Sequence, residues 1–173
     1  MKMNKVNFLF FDNVEVEKLK NKKGIIELCY EESLKNNLIR RLNIVDINFL
    51  KIKIEYKKIN KIDMNALYKL HIKGLQECVA TLERLKFTIK KDFNMRFIDS
   101  NKLDIEKLDD EYLEPIHNKR INFGEIATQM LSIFLDPYPR SNKVNSQLNL
   151  INNRNKKDYL NNNAFEVLNK IKK

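Results

Sequence analysis

Leu85-Lys86-Phe87-Thr88-Ile89-Lys90-Lys91-Asp92-Phe93-Asn94-Met95-Arg96-Phe97 decides the fold class. Leu85, Phe87, Ile89, Phe93, Met95 and Phe97 take the odd positions, interrupted only by Lys91, while polar side chains take the even ones. A period of two is the spacing of a β-strand with one face dry and the other wet. Such a strand needs partners, and the sequence upstream supplies them.

Thr81 to Arg84 reads as a turn, and Leu67 to Ala80 before it as an antiparallel partner with Tyr68, Leu70 and Ile72 leading one face. Further back, Val45 to Lys57 is another strand. Val45, Ile47 and Phe49 alternate on one face; Ile52, Ile54 and Tyr56 continue one residue out of step, which predicts a β-bulge near Leu50. Lys5–Phe10 and Gly24–Tyr30 are two shorter strands. Between them and the long strands, Leu34, Leu38 and Leu42, with Ile39 beside them, lay an apolar stripe along a helix from about Glu31 to Leu42.

Downstream, a second helix opens at Asn122, whose side chain can accept an orphan N–H, with Glu125 three residues on in the spacing of a capping box. Phe123, Ile126, Met130, Ile133 and Phe134 recur at helical spacing, and Pro137 and Pro139 stop the run. The expected architecture is therefore α+β: a mainly antiparallel sheet backed by two amphipathic helices. Residues 1–140 form one domain in this reading. Residues 141–173 form a flexible basic tail, rich in Asn, Ser and Lys, that ends in a short apolar segment.

The chain has 173 residues, 43% of them hydrophobic, and a net charge of +10. That charge is uneven. Residues 1–98 carry a basic surplus of nine and residues 140–173 one of six, while residues 99–115 run to a deficit of five. Lys, Asn and Ile are abundant and Gly, Pro and Trp scarce, a skew that raises lysine content on its own, so charge alone does not identify a partner. The longest apolar run, around Val6 to Phe11, is too short to cross a bilayer, and no cleavage site follows it. The expectation is a protein without membrane attachment. Cys29 and Cys78 have no paired spacing, which places the chain in a reducing compartment, the cytoplasm.

Little in the chain asks for catalysis. His71 and His117 are the two histidines, and His71 falls inside a strand. No serine or cysteine stands in a nucleophile signature, and Gly24, Gly74 and Gly124 are too scattered for a phosphate loop. Asp104, Glu106 and Asp109-Asp110-Glu111 form the best candidate for a Mg²⁺-dependent nuclease, though consecutive acids more often make a solvated loop. Cys29, His71, Cys78 and His117 lack zinc-ligand spacing. The expectation is a binding protein with no catalytic residue, no metal, no cofactor and no small-molecule substrate.

For binding, Lys86, Lys90 and Arg96 project together from the wet side of the alternating strand, and Lys51, Lys53 and Lys57 from another. They are the candidate RNA-binding residues, able to neutralise phosphates and release counterions, and an ordinary soluble face is the competing reading. No aromatic is interleaved with them in this reading, which argues against a base-stacking platform. Tyr138, in Asp136-Pro137-Tyr138-Pro139, either packs on the core or meets a partner. Phe165, Val167, Leu168 and Ile171 share one side of a short helix that either docks on a partner or folds back.

Three stretches together resemble the YceD family of large ribosomal RNA subunit accumulation proteins. They are Gly74-Leu75-Gln76-Glu77-Cys78-Val79-Ala80-Thr81-Leu82-Glu83, then Ile121-Asn122-Phe123-Gly124-Glu125-Ile126 leading to Leu135-Asp136-Pro137-Tyr138-Pro139-Arg140, then Asn163-Ala164-Phe165-Glu166-Val167-Leu168. Thr81 stands where many relatives carry the second cysteine of a Cys-x-x-Cys pair, and Ala164 where a proline is usual. The resemblance implies a factor supporting synthesis, processing or stability of large-subunit ribosomal RNA. Its partners would be that RNA, a pre-ribosomal particle or a large-subunit ribosomal protein. A protein–protein adaptor with no RNA contact is the alternative.

Overall fold

The computed structural model of the chain describes residues 5–102 and 112–142. Its centre is a meander of three long strands, β4 (Asp46–Lys58), β5 (Met64–Glu77) and β6 (Arg84–Asp99). Around them stand β1 (Lys5–Leu9), β3 (Lys23–Cys29) and β7 (Leu113–Ile116), giving a sheet in the order β1-β3-β4-β5-β6-β7. The β3–β4 and β4–β5 pairs are antiparallel, while β1–β3 and β6–β7 at the two margins are parallel. Two three-residue strands, β2 (Asn13–Glu15) and β8 (Arg120–Asn122), make a separate antiparallel ribbon. The sheet is thus mainly antiparallel, and with helices α1 (Glu32–Leu42) and α2 (Phe123–Phe134) the fold is α+β, as the alternation predicts.

Alternation sorts the sheet into an inner and an outer face. Ile52, Ile54 and Tyr56 of β4, Met64 to Ile72 at every second residue of β5, and Ile89, Phe93, Met95 and Phe97 of β6 are buried together. Leu38 and Leu42 of α1 and Phe123, Ile126, Ala127, Met130 and Leu131 of α2 join the same core. Rings lock it: Tyr68 stacks on Phe93 at 4.8 Å, and Phe97 meets Phe123 edge-on at 5.7 Å.

Local chemistry places the helices. Asn43 ends α1 in the left-handed conformation (φ 50), and its N–H donates back to the helix. Asn122 Oδ1 accepts the N–H of Glu125 at 2.9 Å, the expected cap. The reciprocal half of a capping box is absent because the Glu125 carboxylate is turned to Arg41 of α1, which donates to both its oxygens at 2.6 and 2.7 Å. That pair holds the Glu125 carboxyl below its ordinary range, chiefly through the hydrogen bond from Arg41. Asn122 Nδ2 also donates to the Phe11 carbonyl, tying the start of α2 to the segment after β1. α2 ends at Phe134, three residues before the first of the two prolines.

The bulge expected near Leu50 lies at Asn48, where the register slips between Ile47 and Phe49. The expectation that Val45, Ile47 and Phe49 share one face needs correction. Ile47 is buried and Leu50 is buried, but Phe49 lies on the outer face, 39% exposed. Ile47 and Phe49 therefore point to opposite sides of the sheet.

The described residues divide into two compact units, one of residues 5–76, 86–102 and 112–137, the other of residues 77–85 and 138–142. In the second, the Cys78 N–H donates to the Glu83 carbonyl across the turn, and the Val79 N–H donates to the Pro139 carbonyl. At the end of the acidic stretch of residues 99–115 the chain forms β7, with Pro115 at the sheet margin where a missing N–H is tolerated.

Candidate nucleic-acid interface

The outer face of the sheet is built from alternate residues of each strand. Register pairs Glu27 with Lys53, Lys53 with Lys69, Lys51 with His71, and Phe49 with Lys73. The acids in the middle of the face are Glu27, Glu55 and Asp92, and two of them are neutralised where they stand. Lys5 Nζ lies 2.7 Å from Glu27, while Lys53 and Lys69 each lie 2.9 Å from the same Glu55 oxygen. The lysine hydrogen bonds hold both carboxyls below their ordinary range against the opposing effect of desolvation, so they stay ionised and paired. What remains is basic. Among the described residues, Lys51, Lys57, Lys73, Lys86 and Lys90 have no carboxylate within 4 Å.

The three RNA-binding candidates on β6 are exposed, with Lys86, Lys90 and Arg96 alternating against the buried Ile89, Phe93, Met95 and Phe97. Lys90 and Arg96 are joined to the β4–β5 lysines through one continuous face. The stacking of Tyr68 on Phe93 at 4.8 Å puts these residues side by side on the inner face of β5 and β6. Counting two residues at a time along these antiparallel neighbours brings Lys90 alongside His71.

The expectation that no aromatic stands among the lysines holds for β6 and fails on β4. The Asn48 bulge delivers Phe49 to the outer face, where its ring centroid lies 4.8 Å from that of His71 and 5.9 Å from Lys73 Nζ. His71 is therefore no core histidine, but a half-exposed ring in a basic setting. The signal was present in the sequence: Leu50, Ile52, Ile54 and Tyr56 are all even, so the inward run begins at Leu50 and the slip must precede it.

Other candidate residues are placed differently. Tyr138 is 70% exposed, so it does not serve as a core anchor. Phe165, Val167, Leu168 and Ile171, like Asp104, Glu106 and Asp109-Asp110-Glu111, lie outside the described residues. Cys29 is exposed and Cys78 fully buried. The Cys78 thiol is pushed down to about 6 by the Thr81 hydroxyl, with further help from the N–H groups of Ser141, Ala80 and Thr81. Thr81 thus hydrogen-bonds the thiol from the position a second cysteine would take. Among the described residues no group of three His, Cys, Asp or Glu side chains is arranged to hold a metal. None of their helices is long and apolar enough to cross a membrane.

A cleft of about 390 Å³ opens between β2, β7, β8 and the start of α2, lined by Asn13, Glu114, His117, Arg120 and Glu125 among others. Burial pushes the Glu114 carboxyl up. Two of the cleft's charged groups are already engaged, Arg120 with Glu15 at 3.2 Å and Glu125 with Arg41. The outer face gathers several unpaired lysines of one sign, whereas the cleft's Arg120 and Glu125 are already engaged and Glu114 is acidic, so the face is the stronger surface for an anionic partner. No protein-family model, curated protein or solved structure matches the chain.

Proposed function

We propose that the protein is a non-enzymatic factor that supports large-subunit ribosomal RNA by binding the RNA or an assembly intermediate through the outer face of its sheet. The observation that carries this reading is the charge balance of that face: Glu27 and Glu55 are paired internally, and Lys51, Lys73, Lys86 and Lys90 are left over. A polyanion gains entropy from counterion release when it meets such a surface, and a neutral protein partner does not. The three stretches resembling the YceD family supply the ribosomal half of the reading.

Replacing Lys86, Lys90 and Arg96 together with Gln tests it. These side chains are exposed, so folding should hold within about 0.5 kcal/mol per site. Affinity for ribosomal RNA fragments should fall, and the slope of log affinity against log salt should flatten by about 0.7 for each single-strand phosphate no longer neutralised. Wild-type protein should also co-sediment with pre-ribosomal particles. An unchanged slope, with association abolished instead by Phe165→Ala, would replace RNA binding by the adaptor reading.

A further inference from the structure

We infer that Phe49 and His71 form a base-stacking platform, so that the RNA taken by this face is single-stranded. The inference rests on the RNA reading above and adds the form of the ligand and the point of contact.

Phe49 alone among the described phenylalanines is exposed; the others are buried or half-buried in and around the core. It reaches the outer face because Asn48 is looped out of the β4 ladder, and bulges characteristically re-aim side chains in this way. His71, the next ring, lies on the neighbouring strand with the two planes inclined at 60°. The surroundings are cationic. Lys73 is directly opposite Phe49, and Lys51 is directly opposite His71. Lys90 falls on the other side of His71, in the register that the Tyr68–Phe93 stack sets. Neighbouring strands are about 4.8 Å apart, so the backbone positions of Lys51 and Lys90 lie about one strand spacing from that of His71, and Lys73 Nζ lies 5.9 Å from the Phe49 ring.

Exposed rings ringed by unpaired lysines match a ligand with alternating flat apolar and anionic parts. A nucleic-acid strand has that alternation: a base for the ring, a phosphate on each side for the lysines. In a duplex the base faces are already stacked on each other and the A-form major groove is too narrow for side chains, so the rings would find nothing to cover. An apolar protein surface would leave the three lysines desolvated without partners.

The test uses three ligands of about ten nucleotides, a length within the site sizes of single-strand-binding folds: a mixed-sequence single-stranded RNA, the corresponding duplex, and an abasic ribose-phosphate strand. Phe49→Ala and His71→Ala should each weaken single-stranded RNA binding by about 5- to 150-fold, the range for removing one stacked base. Affinity for the abasic strand should change less than about twofold, and the salt slope should stay that of wild type, since the lysines that meet the phosphates are untouched. The chain contains no Trp, so Phe49→Trp installs a single tryptophan, excited selectively over the tyrosines, whose emission should be quenched by the single strand and not by the abasic one. Full affinity of Phe49→Ala for single-stranded RNA, or an equal loss for the abasic strand, overturns the platform while leaving phosphate binding by the lysines intact. If wild-type protein shows no salt-sensitive RNA binding, the platform and the RNA reading fall together.

Discussion

Replacing Gly124 with Ala sets two effects of opposite sign against each other. Gly124 lies in the first turn of α2 with ordinary helical backbone, so propensity alone favours the substitution by about 1 kcal/mol. A Cβ there would lie 2.6 Å from both the carbonyl carbon and the Cδ1 of Phe10, and closer still to the Phe10 carbonyl oxygen. Carbon atoms pack at about 3.5–4.0 Å and the carbonyl oxygen is nearer still, so the helix and the Phe10 backbone must part by more than about 1 Å. Backbone cannot rotate away as a side chain can. The separation would stretch the Asn122–Phe11 hydrogen bond and loosen Phe10, which is 1% exposed in the core. Overpacking of this kind costs about 1–3 kcal/mol or more, and the backbone clash puts it at the upper end. The net expectation is a destabilisation of about 2 kcal/mol, which at a urea slope of about 2 kcal/mol/M should lower the unfolding midpoint by about 1 M at unchanged slope. A midpoint equal to or above that of wild type would refute the close approach of α2 to Phe10.

Two further outcomes are expected from residues around the same end of the fold. Asn122→Ala removes the side-chain oxygen that accepts from Glu125 and the amide that donates to Phe11, and should cost about 1–2 kcal/mol in chemical denaturation; Asn122→Asp keeps the accepting oxygen and should fall between. Burial raises the Glu114 carboxyl above its ordinary 4.5, so the folded state holds this proton more tightly than the unfolded chain. Its contribution to stability is therefore lost as pH rises from about 4.5 through the folded-state value, and Glu114→Gln should remove that decline. Thermal melts of both proteins across the acidic-to-neutral range would expose an error if the difference between them ran the other way.

The parts of the fold visible in sequence were those whose pattern is long. β6 and the later half of β4 each alternate over enough residues to define both strand and face, and the Asn122–Glu125 spacing locates the start of α2 within one residue. β2 and β8 escaped because three residues carry no period. β7 escaped because Leu113–Ile116, with its proline, sits at the end of an acidic run that reads as loop. On the candidate interface, alternation exposed the β6 cations directly. Phe49 was misplaced because Val45, Ile47 and Phe49 mimic an unbroken face, and only the ladder to Lys73 and Gly74 shows where the extra residue lies. Which lysines are neutralised was also invisible, since Lys53, Glu55 and Lys69 meet across two strands.

Asn48 also makes the middle of β4 tolerant of a change in length. Losing one residue inside a central strand ordinarily inverts everything that follows, because each later side chain swaps faces. Here the chain would go directly from Ile47, inward, to Phe49, outward, and on to Leu50, inward. The ladder on either side would keep its pairing. A protein without Asn48 should fold with the same core and a straighter, less coiled strand. Length variants of this strand are therefore open to evolutionary drift, and a shorter relative could carry the same two faces in unbroken alternation.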